Sequence, residues 1–385
     1  MSVPPTGGWS PTPPPDSGHQ GPWYPNPPTQ QPDPGPLGPW PPQQGYPSPA
    51  PPRSDRVKWL LVGVVLVLVV GIAVTTTLLL RSDETGGNGT ATAKPGSSSA
   101  PSDIASANDT GPVSIITVEP TCSAYYAINN VVADAQEKGW GNDRNSLGPA
   151  SQWTPEQRTH IELASDAMRR AADQLVPLAK QTPHRVVREL YEQLIAYWRA
   201  YVAAVPTYTP NDNYLADATV NASFVITALC NAITYGSAPL VTGVAPVSAP
   251  TAPRSTDDPA NPKRFITVAD SLCKDWVDRQ AKFAADSTDW EKIPPGTPGS
   301  QWTPEERAAN EAVFPIMLDY ADATEKAGRS SGNPVLEDFA VAAAIYLRAL
   351  VAVGTNYVEA DGWLATTALR LVSFVSNACR FVGTK

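Results

Sequence analysis

Three histidines, four cysteines and a few carboxylates that recur at one fixed spacing are the side chains here with chemistry to offer. His19 lies in a proline-rich stretch. His160 and His184 fall opposite Ala309 and Asn333 when the chain is slid by 149 positions, so neither belongs to a site present twice. No HExxH, CxxC or GxSxG spacing occurs, and no phosphate-binding glycine pattern. The expectation is therefore no catalytic residue, no metal and no cofactor. The recurring carboxylates are Glu156/Glu305, Glu162/Glu311, Asp173/Asp322 and Asp212/Asp361. Glu156 and Glu162 sit six apart on one helix, point to different sides, and make a poor acid/base pair. Arg199 and Arg348 lie in the middle of apolar helices and need an acid, for which Asp173 or Glu162 of a neighbouring helix is placed.

The octapeptide SQWTPEQR at 151–158 returns as SQWTPEER at 300–307. It reads as a helix start. Thr154 and Thr303 suit the N-cap, and Pro155 and Pro304 suit the first helical position, where a missing N–H costs nothing. Gln157 and Glu306 stand where a capping box needs them. Trp153 with Arg158, and Trp302 with Arg307, bracket the cap and can stack as a staple. Farther on, Tyr208, Asp212 and Tyr214 match Tyr357, Asp361 and Trp363 in a loop before the last helix of each copy. Loops concentrate binding residues, so this corner is the candidate recognition surface, with Asp212 and Asp361 also reading as N-caps.

These residues need scaffolding, and the same offset supplies it. Two copies of one unit run over 113–236 and 264–384, joined by a Pro/Ala-rich linker at 237–263. Apolar residues at i, i+3, i+4 and i+7 predict helices near 121–137, 155–180, 184–205 and 212–235. The second set lies near 267–286, 304–328, 333–353 and 361–382, and strand-like alternation is nearly absent. The fold expected is all-α: two tandem four-helix-bundle-like repeats. In an up-down-up-down bundle the start of the first helix and the end of the fourth share one end. That favours the disulfides Cys122–Cys230 and Cys273–Cys379, which an exported compartment would preserve.

Residues 1–57 hold about twenty of the 42 prolines and few aliphatic side chains, which predicts a disordered tail. Residues 58–80 read as a transmembrane helix: Trp59 to Leu80 is 22 residues without a charge, about 33 Å of helix. Arg53, Arg56 and Lys58 precede it, so the tail stays cytoplasmic and the rest is exported at the plasma membrane. Gly63 and Gly71 share a face that would permit a homodimer. Residues 81–112 are rich in Ser, Thr and Ala, as a flexible stalk is. The net charge is −9, about −7 of it beyond the stalk with no basic run, which argues against nucleic acid as partner.

The proline-, glycine- and tryptophan-rich head, the segment RVKWLLVGVVLVLVVGIAV, the stalk and the cysteine-closed region resemble proline-rich single-pass membrane proteins of mycobacteria and related actinobacteria. The resemblance implies a cell-envelope location and transfers no catalytic residue. The function expected is non-enzymatic binding or scaffolding of an envelope protein. The alternatives are an envelope glycan- or lipid-acting enzyme using Asp212 and Asp361, or a transmembrane sensor.

Overall fold

Each of the eight helices predicted for the two copies forms, and the reasons lie in the caps and the glycines. A computed structural model describes residues 103–241, 247–251, 258–269 and 271–383. The predicted tail and transmembrane helix, most of the stalk and part of the linker lie outside the described residues. The first copy holds α1 (Cys122–Ala135), α2 (Pro155–Gln181), α3 (Arg185–Ala204) and α4 (Asn213–Thr234). The second holds α5 (Ser271–Asp286), α6 (Pro304–Ser330), α7 (Pro334–Val353) and α8 (Gly362–Gly383). From α2 to α4 and from α6 to α8, each helix starts 149 residues after its counterpart. No strand occurs among the described residues. The helical run that continues past α1 breaks at Gly139, whose φ of 117° is open only to glycine without strain.

Within each copy, consecutive helices pack side by side and the first closes on the fourth. The disulfides sit at that closure, Cys122–Cys230 with Cα atoms 5.7 Å apart and Cys273–Cys379 with 5.0 Å. Pairing between the copies is just as close: α4 and α8 pack along each other more extensively than any two helices of one copy. Among the described residues one helical stretch, Pro210–Thr234, is long and apolar enough to cross a membrane. It is mostly buried inside the body and disulfide-bonded at Cys230, as a core helix is.

Extended segments strap the copies together. The Ile116 amide donates to the Tyr346 hydroxyl at 3.2 Å. In the matching segment of the second copy, Phe265 lies against the ring of Tyr197 in the first copy, with centroids 6.2 Å apart. Gln193 grips this second strap through Lys263 O and the Phe265 amide, at 3.0 and 2.9 Å. The ordered body also begins before residue 113: Ile104 and Ser106 are buried, and Asp103 pairs with Lys180. At the end of the linker, the Ala260 carbonyl accepts from Arg199 at 2.6 Å.

Candidate functional site

Both octapeptides build the same joint. The Gln157 amide donates to Thr154 Oγ1 at 3.1 Å and the Thr154 amide to Gln157 Oε1 at 3.0 Å. Thr303 and Glu306 repeat the reciprocal pair at 3.1 and 2.8 Å. Trp153 Nε1 donates to Gly148 O, and Arg158 lies 5.6 Å over the Trp153 ring while donating to Ala150 O. Trp302 and Arg307 make the matching bonds to Thr297 O and Gly299 O. The joint then grips the candidate corner. Ala150 N donates to Tyr208 O at 2.9 Å, and Gly299 N to Tyr357 O at 2.8 Å. The rings follow, Trp153 on Tyr208 at 5.2 Å and Trp302 on Tyr357 at 5.8 Å.

The corner residues therefore come together, but turned inward. Tyr208 and Tyr357 are buried, and burial raises both phenols above their ordinary range. Trp363 is buried and stacks on Tyr235 at the end of α4, while Tyr214 is half-buried. Asp212 and Asp361 do not cap α4 and α8, as the sequence suggested. Each reaches back to the turn before its helix: Asp212 accepts from the Thr209 amide and hydroxyl, Asp361 from the Val358 amide at 2.9 Å. The reason is local. A single 3₁₀ turn intervenes, so the carboxylate stands at its end rather than ahead of the α-helix. Burial raises the Asp361 carboxyl above its usual range.

Arg199 and Arg348 find the expected acids, Asp173 at 2.8 Å and Asp322 at 2.6 Å. They are partly exposed rather than buried, and Glu162 takes no part. Arg348 adds Glu325, which also receives Arg329. Burial works to raise the Glu325 carboxyl, but the two guanidiniums outweigh it and leave it below the ordinary carboxylate range.

Sequence reasoning missed the centre of the molecule. Residues 185–198 of α3 are all buried, including Arg185, Arg188, Glu189 and Glu192. Arg185 forms a fork on Asp338 of α7 at 2.6 and 3.1 Å, and is held from the other side by Asp109 and Gly111. Arg188 lies 3.7 Å from Glu189 and 3.8 Å from Glu192, beyond hydrogen-bond reach. Neither oxygen of Glu189 receives a hydrogen bond. Burial, reinforced by the neighbouring Asp338, pushes its carboxyl well above the ordinary value. The signal was legible: 185, 188, 189 and 192 follow the i, i+3, i+4, i+7 rhythm of one helix face. A charged stripe on a helix is ordinarily the solvated side. Here the second copy covers it.

An open concavity lies in the second copy. A groove of about 570 Å³ runs between the turn after α5 and the first turns of α6. Trp290, Ile293, Ala309 and Val313 line its base, with Asp286 and Glu305 at its edge. The first copy fills the matching place: His160, the counterpart of Ala309, pairs with Asp143 at 2.8 Å and packs on Gly139. Among the described residues, no group of three or more His, Cys, Asp or Glu is placed to hold a metal ion.

No solved structure matches this chain. An uncharacterised protein of Mycolicibacterium smegmatis (strain MKD8) is 41% identical over 347 residues, covering 88% of this chain and 90% of that protein. The family described as mycobacterial ESX-1 associated protein matches residues 104–383, which is the whole helical body from its first buried turn to the end of α8. The chain belongs to the family of mycobacterial ESX-1 associated proteins.

Proposed function

We propose that this protein is a non-enzymatic, membrane-anchored envelope component whose paired helical body docks a partner of the ESX-1 secretion system outside the membrane. One observation carries the reading. The threonines, tryptophans, arginines and tyrosines that recur in the two octapeptides and corners are taken up by internal joints, so their recurrence reflects architecture rather than a repeated active site. The fusion of the copies through α4, α8 and two crossing straps supports a rigid platform. The family match supports the secretion-system setting, and the uncharged stretch from Trp59 to Leu80 supports the anchor.

Photo-crosslinking in living cells tests it, with probes on the exported surface of the full-length chain. The expected result is a discrete adduct with an ESX-1 component. No adduct at any surface position, or turnover of envelope glycans or lipids that Asp212→Asn/Asp361→Asn abolishes, would refute it.

A further inference from the structure

The two copies differ in shape where the chain after the first helix meets the opening turns of the second. In the first copy, the chain after α1 lies over the opening turns of α2. A Cβ at Gly139 would stand 2.2 Å from the His160 ring, so that face is shut. Asp143 pairs with His160, and Arg144 lies 4.9 Å over the Trp140 ring. In the second copy the residues facing the gap are Ala308, Ala309 and Ala312, where the first has Thr159, His160 and Leu163. Small side chains leave the floor open. About 570 Å³ is room for two or three amino-acid side chains.

The groove's chemistry is specific. The floor is Trp290, Ile293, Val313 and Ile316 with the three alanines. The edge carries Asp286, Asp289, Glu305 and Glu306 against Lys292 and the adjoining Lys282, a net charge of −2. Asp286 is matched by Lys282, Asp289 by Lys292, and Glu306 is used in its capping box. The Glu305 carboxylate has no partner among the described residues. An occupant must bury apolar atoms and bring positive charge to the edge.

We infer that this groove binds a short segment of a partner protein in which a lysine or arginine adjoins bulky apolar side chains. The first copy displays the same solution within one chain: a tryptophan, a basic ring and an acid closing the space. The inference rests on the scaffolding reading only in taking the partner to be a polypeptide.

The test uses the full-length chain in detergent micelles and a fluorescein-labelled peptide, Gly-Ser-Lys-Leu-Phe-Lys-Ser-Gly, followed by anisotropy. Two control peptides replace both lysines by glutamate, or both apolar residues by serine. Ala309→His/Ala312→Leu installs the side chains the first copy already tolerates there, and Glu305→Lys reverses the open edge charge. The lysine peptide should saturate the chain, and both controls should bind at least tenfold more weakly. The filled variant should lose binding, Glu305→Lys should weaken it severalfold, and Glu156→Lys at the matching site of the first copy should leave it unchanged. Equal binding of the glutamate peptide, or binding that survives in a filled variant of unchanged near-ultraviolet dichroism, overturns the inference. Crosslinking in cells separates the two readings. A filled-groove chain that still captures its partner removes the groove as the docking site and keeps the platform. A wild-type chain that binds the peptide yet captures nothing removes the platform.

Discussion

Replacing Glu189 by glutamine should flatten the pH dependence of this protein's stability. Three buried carboxylates, Glu189, Glu192 and Asp338, share the centre with two guanidiniums, Arg185 and Arg188. Asp338 takes the fork of Arg185, whose far side is met by Asp109 from the strap. Glu337 of α7 faces Arg329 and Thr251 instead. Glu189 is left without a donor, desolvated and beside Asp338, so it favours the protonated form. A folded-state pKa raised above the unfolded value means that the native state holds the extra proton. Its stabilising contribution is complete below the unfolded pKa of about 4.5 and is lost as pH rises through the folded pKa. One proton corresponds to a slope of at most about 1.4 kcal/mol per pH unit. Glutamine is isosteric, carries no charge at any pH, and its amide can donate to Asp338. Urea titrations of both proteins from pH 5 to 8, read by tryptophan fluorescence, give the difference directly, because titrations elsewhere cancel. The two should agree within about 1 kcal/mol at pH 5, with the variant gaining relative to wild type as pH rises. Parallel curves, or a variant weaker at pH 8 than at pH 5 relative to wild type, would mean that Glu189 is ionised and that Arg188 depends on it.

Other perturbations address the joints. Thr154→Ala and Thr303→Ala should each cost about 1 kcal/mol, and their sum should hold in the double variant, because the caps lie on different helices. Gly299→Ala should cost about 1–3 kcal/mol, since its Cβ would meet the Thr355 carbonyl at 2.2 Å. The converse Ala150→Gly should cost about 1 kcal/mol or less, a contrast that equilibrium unfolding can resolve. Removing Cys122–Cys230 or Cys273–Cys379 opens a loop of 108 or 106 residues, which the chain-entropy account values at up to about 4.8 kcal/mol. Non-reducing peptide mapping should recover only these two pairs, and a bond linking one copy to the other would refute the closure of each bundle.

Much of this fold is local in origin, and that part reads directly from sequence. Helix spans follow from a 3.6-residue rhythm, the caps from Thr-Pro with Gln or Glu three residues on, and the disulfides from the ends of four antiparallel helices. What the sequence hides is long-range. An exposed stripe and a stripe covered by another copy have the same periodicity, so nothing in the spacing of the α3 charges distinguishes the two until α7 is placed against them. The tyrosines of the corner read as a recognition surface because they lie in loops. Burial depends on backbone bonds from 149–153 and 298–302, which no spacing announces. The groove was half legible: Ala309 opposite His160 was visible, but its meaning needed the path of the chain after α5.

The buried charges at the centre follow from the way the copies meet. Asn221 and Arg370 are 149 apart, and Arg370 Nη1 donates to Asn221 Oδ1 at 3.0 Å. Glu189 and Asp338 are also 149 apart, and also adjoin. A position that touches its own counterpart behaves like one on a local two-fold axis, as in an isologous contact. On such an axis identical residues must face each other, so any charge there repels its copy. Hydrophobic positions carry no such penalty, and most of α4 against α8 is apolar. Where the axis crosses polar positions the copies have diverged. Asparagine faces arginine at one point. At the other, two acids remain, and the first copy alone supplies Arg185, because its counterpart is Pro334. Arg185 is committed to Asp338 and Arg188 stays 3.7 Å from Glu189, so burial raises the Glu189 carboxyl well above its ordinary value. The prediction for Glu189 thus follows from a contact between two acids 149 residues apart, and it ties a proton to the joining of the two halves.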